Sequence, residues 1–293
     1  MAIKKNYPNV HVALLTSPGE RNTIGAAELL RGAWYLDEIK VYYPEDIDSL
    51  GKIMALAASL RRERYDWFIH LPAHDWTSFA TMARNIIFAK LVGVRCAFGF
   101  RVRTIINLFR KTQIDYTTGR KETDALLGFL RSAGLKTERI EFELPISRSA
   151  ETRALSMLQE KWADYKNKLL VVIHSGTKEN FPEKRWRPER FAEVAEHLVG
   201  KHDARIVVVG GKDDLQDADI IVRNLPKDRC LIVAGKLDIL ETAALIKQSG
   251  FLLGIDSGPM HIAAFLGKPV VGLFSNLNIL GTWFPYGEGH EIL

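Results

Sequence analysis

Short apolar runs and amphipathic stretches alternate along this chain. Val10–Leu15, Ile39–Tyr43 and Trp67–Leu71 are rich in β-branched and aromatic residues and predict strands. Ser49–Arg64 places Ile53, Leu56 and Leu60 at helical spacing, and Thr77–Val92 predicts a further helix ending near Gly93. "CAFGF" predicts a short strand, and Asp124–Ala133 a helix closed by Gly134. The alternation breaks over Leu144–Lys168, which holds a proline, a helix start and a long polar helix. We place a domain junction there, dividing the chain into residues 1–150 and 151–293.

The second half repeats the pattern more clearly. Predicted strands are Leu169–His174, Arg205–Val209, Cys230–Val233, Phe251–Ile255 and Val270–Phe274. Predicted helices are Pro188–Val199, Asp213–Asn224, Ile239–Gln248 and Met260–Leu266; the first of these puts Phe191, Val194, Ala195 and Leu198 on one face. Strands alternating with helices predict an α/β fold, with parallel sheets covered on both faces. The near-continuous apolarity of the strands agrees, because a parallel strand is buried on both sides. Two such units in tandem enclose a cleft. Ligands of open α/β sheets bind beyond the carboxyl ends of the strands, so the loops after Ile173, Val209, Val233 and Ile255 are where chemistry is expected.

Composition narrows the class. The 293 residues are 47% hydrophobic and 26% charged, a globular composition with length for two ordinary cores. The net charge of +5 is spread along the chain. It suits anionic small molecules or an anionic membrane surface, and argues against dedicated nucleic-acid binding. Cys96 and Cys230 stand far apart without metal spacing, which predicts a reducing, cytoplasmic compartment. "MAIKKNYPNV" has no apolar signal region, and no run reaches the roughly 18 apolar residues of a membrane span.

Each of the four loops carries candidate chemistry and a plainer alternative. After Ile173, His174-Ser175-Gly176-Thr177 leads into a basic loop with Lys178, Lys184, Arg185 and Arg187, and Pro188 then opens a helix. Hydroxyls, lysines and a helix start make an anion site; the alternative is a solvated basic loop. After Val209, Gly210 and Gly211 let a ligand approach the backbone, with Asp213 or Asp214 as a ribose acceptor or as a helix cap. After Val233, Lys236 and Leu237 line a base pocket or precede a capping box of Asp238 and Glu241. After Ile255 comes Asp256-Ser257-Gly258-Pro259-Met260-His261. Gly258 permits close backbone approach or positive φ, and Pro259 suits a helix start. The N–H groups and dipole of that helix favour phosphate, with His261 in its first turn as a donor. The alternative makes Asp256 an N-cap and His261 a core residue.

The ordered stretches "IHSG…PEKRWRPERFAEVAEHL", "VVVGGKDD", "AGKLDILETAALI", "GIDSGPMHIAAFLGKPVVGLF" and "PYG" resemble glycosyltransferase family 9, the ADP-heptose:lipopolysaccharide heptosyltransferases and their relatives. "KLVGVRCAFGFR" and "LKTERIEFELPI" resemble it more loosely in the first half. The resemblance implies a GT-B fold, with two Rossmann-like domains of parallel sheets facing a central cleft. It implies an inverting transfer of a heptose or related sugar from an ADP-sugar to a lipopolysaccharide core or similar glycolipid, at the cytoplasmic face of the inner membrane. The second domain then holds the nucleotide-sugar. Asp256, Ser257, Gly258, Met260 and His261 cradle the diphosphate, and Lys184 or Lys178 near Thr177 neutralises it. Asp214, beside Gly211, contacts the ribose, and Leu237 lies on the adenine side. No metal or other cofactor is implied, because basic groups and a helix N-terminus stand in for one.

Two features depart from the family. Its opening strand and Gly-Asp loop, whose Asp is the general base, have no counterpart before "AIKKNYPNVHVALL", which resembles the end of the first helix and the second strand. The segment beyond "PYG" is short. A fragment is the expected explanation. Asp75, beside His74 in "LPAHDWTS", is the candidate acid within the chain and otherwise a helix cap. A nucleotide-sugar-binding module without turnover, and a GT-B-like epimerase, are the alternative functions.

Overall fold

A computed structural model describes residues 1–21, 23–71, 79–99, 122–132, 134–137, 143–176, 184–275 and 281–293. In the first half, α1 (Ala2–Asn6) leads to β1 (Ala13–Thr16), α2 (Ala26–Leu29), β2 (Glu38–Val41), α3 (Leu50–Arg62), β3 (Trp67–Ile69), α4 (Phe79–Val92), β4 (Cys96–Phe98) and α5 (Glu122–Ser132). Among the described residues β1 pairs in parallel with β2, and β3 with β4. Ser49 accepts from the Lys52 N–H and caps α3, whose Ala57 and Leu60 pack with Val92 of α4.

The second half opens with α6 (Arg148–Lys161), capped by Ser147, whose hydroxyl accepts from the Ala150 N–H. There follow β5 (Leu170–His174), α7 (Pro188–His202), β6 (Arg205–Val208), α8 (Leu215–Val222), β7 (Cys230–Ile232), α9 (Ile239–Ile246), β8 (Phe251–Ile255), α10 (Gly258–Phe265), β9 (Val270–Leu273) and β10 (Glu291–Ile292). These strands form one parallel sheet in the order β10-β9-β8-β5-β6-β7.

Alternation along β5 sorts the two cores. Leu170 and Val172 face one layer with Leu158 of α6, Leu245 of α9 and Met260 of α10. Val171 and Ile173 face the other with Phe191 of α7 and Ile221 of α8. Phe191 is fully buried, and the Trp186 ring meets it edge-on at 4.8 Å. Phe191→Ala is expected to cost about 3–5 kcal/mol, as for other buried aromatics, read as a fall in the denaturant midpoint.

Leu29 of α2 also packs against the first of these layers, and the Tyr35 hydroxyl donates to the Glu143 carbonyl. The α/β class and parallel pairing agree with the sequence. Element ends differ where local turns intervene. A 3₁₀ turn over Lys212–Asp214 precedes α8, so the expected helix from Asp213 is split. Helix α10 begins at Gly258 rather than Met260.

Candidate functional site

Strand β5 lies between β8 and β6, so the chain changes direction across the sheet between β5 and β8. A crevice opens beyond the carboxyl ends of two such strands. Here those ends bring His174 and Asp256 together.

Three contacts with α7 and α8 fix residues 184–188, which reach this point. Trp186 rests on Phe191, Pro188 starts α7, and the Arg185 guanidinium donates to Asp217 of α8 at 2.7 Å. With its neighbours so held, Lys184 reaches the rim, and its Nζ donates to Asp256 Oδ2 at 2.7 Å. His261 Nε2 faces the other oxygen of the same carboxylate at 3.5 Å. The Asp256 side chain is 8% exposed. Burial pushes its carboxyl up, but hydrogen bonds from His261 and Lys184 outweigh this and hold it below the usual carboxylate range.

The sign of the linkage follows. A lowered carboxyl contributes stability that is complete above its unfolded value of about 3.9 and is lost as the pH falls through the lower folded value. Denaturant titrations of wild type and Asp256→Asn are therefore expected to differ most above about pH 4 and to converge in stronger acid.

Asp256 is not a cap. Ser257 is the N-cap residue of α10, yet its hydroxyl does not cap the helix; it donates to the Ile255 carbonyl and meets His174 Nδ1 at 3.0 Å. The first turn thus points its N–H groups outward without a capping side chain from Ser257. In front of it, a Cβ built on Gly258 meets nothing within 4 Å, and Gly258 has no positive φ. Close approach, not backbone freedom, is what glycine offers here. His261 is 30% exposed and its ring lies 6.5 Å from that of Trp283. The core-residue alternative for His261 does not hold.

The acidic loop is built from two other glycines. Asp214 accepts from the Gly211 N–H at 2.7 Å and lies 3.8 Å from His174 Nε2. A Cβ on Gly176 would stand 1.8 Å from Asp214 Oδ1, and one on Gly210 would stand 2.4 Å from Oδ2. Both positions require glycine, and Gly210 also has φ +153°. Gly211 contributes its N–H, and a Cβ there would fit.

Met260 is fully buried against the sheet, because a helix starting at Gly258 turns its third residue inward. Its side chain cannot touch a nucleotide, which leaves only its N–H facing the rim. Asp238 and Glu241 form the capping box of α9, each accepting from the other's N–H. Leu237 beside them is partly buried against the first core layer. Thr177, Lys178, His74 and Asp75 lie outside the described residues. The sequence reading gave no role to His174, Gly176 or Trp283, and it read Gly210 with Gly211 as letting a ligand approach the backbone, whereas Gly210 makes room for the Asp214 carboxylate. The small-residue turn directly after β5 was the available signal for the first two.

The site thus joins a lysine, a histidine and a helix N-terminus around an open position, beside an acid on a glycine-rich turn. Among the described residues no group of three or more His, Cys, Asp or Glu side chains is placed to hold a metal ion. No helix among them is long and apolar enough to cross a membrane.

Residues 53–293 match glycosyltransferase family 9 (heptosyltransferase). The lipopolysaccharide core heptosyltransferase OpsX of Haemophilus influenzae is 29% identical over 56% of this chain and 45% of its own length. Lipooligosaccharide heptosyltransferase 2 of the same organism is 26% identical over 93% of this chain and 76% of its own. Among solved structures, a family 9 glycosyl transferase from Veillonella parvula aligns over 100% of this chain and 80% of its own, with a TM-score of 0.74 and 20% identity. E. coli heptosyltransferase WaaC with ADP aligns over 99% and 87%, with a TM-score of 0.66 and 14% identity. The fold is that of the GT-B glycosyltransferases.

Proposed function

This chain belongs to glycosyltransferase family 9, and we propose that it moves a heptose or related sugar from an ADP-sugar to a lipopolysaccharide-type glycolipid, with inversion at the anomeric carbon. The observation that carries this reading is the convergence of Lys184 and His261 on Asp256 at the uncapped start of α10.

The donor's diphosphate fits the open position before Gly258. The N–H groups of Gly258 and Met260 point there, and the helix dipole favours the negative charge. Lys184 shares its charge between Asp256 and the phosphates, and Asp256 keeps Lys184 and His261 aimed. The carboxylate itself would repel phosphate, so its part is orientation. Asp214 accepts from the ribose hydroxyls. As the acceptor oxygen attacks the anomeric carbon, its hydroxyl proton passes to a general base, for which Asp75 is the sequence candidate, while the bond to the ADP oxygen breaks and negative charge grows on the diphosphate. Lys184 and the α10 N-terminus stabilise that charge without a metal.

In this reading residues 151–293 hold the donor and residues 1–150 meet the acceptor, at the cytoplasmic side of a membrane carrying anionic glycolipid. The chain spans 45% and 76% of the two Haemophilus relatives above, so the full reaction is part of the proposal. The test is incubation with ADP-heptose and a lipid-linked acceptor in EDTA. ADP release with a product of inverted anomeric configuration supports the reading. Retention, or a requirement for divalent metal, contradicts it.

A further inference from the structure

His174 is the last residue of β5 and is 7% exposed. It is the one described side chain that approaches both the acidic loop and the α10 elbow in the contacts given above. Its Nδ1 stands 3.0 Å from Ser257 Oγ, and its Nε2 stands 3.8 Å from Asp214 Oδ2. Ser257 Oγ has one proton, and the Ile255 carbonyl and His174 Nδ1, both at 3.0 Å, are the acceptors within its reach. Burial lowers the His174 pKa, and Asp214 opposes that shift without reversing it, so the ring is neutral and carries one proton. With that proton on Nε2, Nδ1 accepts from Ser257 Oγ and the N–H faces the Asp214 carboxylate. The ring thus backs the Asp214 side chain while Gly211 N–H holds it from the other side.

We propose that His174 is a positioning residue: one buried ring sets Ser257 of the diphosphate elbow and Asp214 of the ribose loop at a fixed spacing, so that phosphate and ribose of one nucleotide are held together. The inference rests on the proposed nucleotide-sugar site. It adds a prediction that the site alone does not make. Losing the ring should weaken a ligand that spans both loops far more than ligands that occupy one.

The amide side chains separate the two arms. Asparagine places its amide near the position of Nδ1 and keeps a hydrogen-bond partner for Ser257. Glutamine reaches the position of Nε2 and leaves Ser257 without that partner. Calorimetry with ADP, inorganic pyrophosphate and adenosine is run on wild type, His174→Ala, His174→Asn and His174→Gln, well below each variant's melting midpoint. His174→Ala is expected to bind ADP about 30-fold or more weakly, with pyrophosphate weakened about five- to tenfold and adenosine about two- to threefold. His174→Asn is expected to bring pyrophosphate to within about threefold of wild type, and His174→Gln not to. A purely structural role would move the melting midpoint and leave these ratios alone. If His174→Ala binds ADP within about threefold of wild type, or if the Asn and Gln variants bind pyrophosphate equally, the inference is overturned. Should His174→Ala not fold, the Asn and Gln comparison decides alone. Failure of the wild type to bind ADP overturns the nucleotide site itself, a separate outcome.

Discussion

Lys184→Ala is expected to weaken ADP binding by about 30- to 300-fold, the loss of one charge-assisted contact to a diphosphate plus the exposure of the phosphates to an unneutralised carboxylate. The geometry sets both parts. Lys184 Nζ is 2.7 Å from Asp256 Oδ2, and the two side chains are 20% and 8% exposed. Removing the lysine leaves a largely buried anion beside the expected phosphate position. The free protein should also melt at a lower temperature, since the Asp256 carboxylate keeps His261 but loses its fully charged partner. The double variant Lys184→Ala/Asp256→Asn separates these terms. It is expected to recover about tenfold of the lost ADP affinity and most of the melting midpoint, because the under-neutralised charge is gone while the phosphate contact is still missing. If the single and double variants bind ADP alike, Asp256 does not face the ligand.

Gly258→Val is expected to leave the fold intact and to weaken ADP on the order of 100-fold, by filling the place where phosphate approaches the backbone. A Cβ at this position meets nothing within 4 Å, and the backbone there has no positive φ. The melting midpoint should therefore stay within about 2 °C of wild type, as for other surface substitutions. Gly176→Val is the contrast. Its Cβ would collide with the Asp214 carboxylate, so stability and binding should fall together. A Gly258→Val protein that binds ADP like wild type would place the diphosphate elsewhere.

The legible parts of the fold were those with sharp boundaries and burial on both faces. Phe251–Ile255 was bounded correctly because Gly250 precedes it and Asp256-Ser257-Gly258-Pro259 ends it, with the apolar run between them lying in the sheet interior. Four-residue α2 is too short to show a helical period. The break at Lys212–Asp214 was hidden because Asp214 can cap either a 3₁₀ turn or a helix; only its bond to the Gly211 N–H decides.

At the site, residue types were easier to read than their duties. Lys184 and Asp256 are far apart in sequence, and no local pattern reveals that they pair. Met260 sits in the motif, and the start of α10 at Gly258 sets the helical phase that buries its side chain, leaves its N–H at the helix end and puts His261 at the rim. His174 ends an apolar strand and looks like any strand terminus until Ser257 and Asp214 are placed around it.

The most direct measurement is calorimetric titration of the wild-type chain with ADP, beside UDP, GDP and CMP, repeated on Lys184→Ala and Gly258→Val. The account predicts that ADP binds the wild type in preference to the other nucleotides and that each substitution weakens it strongly, with Gly258→Val still folded as wild type. Absence of nucleotide binding by the folded wild type, or ADP affinity untouched by both substitutions, would contradict a diphosphate site at the start of α10.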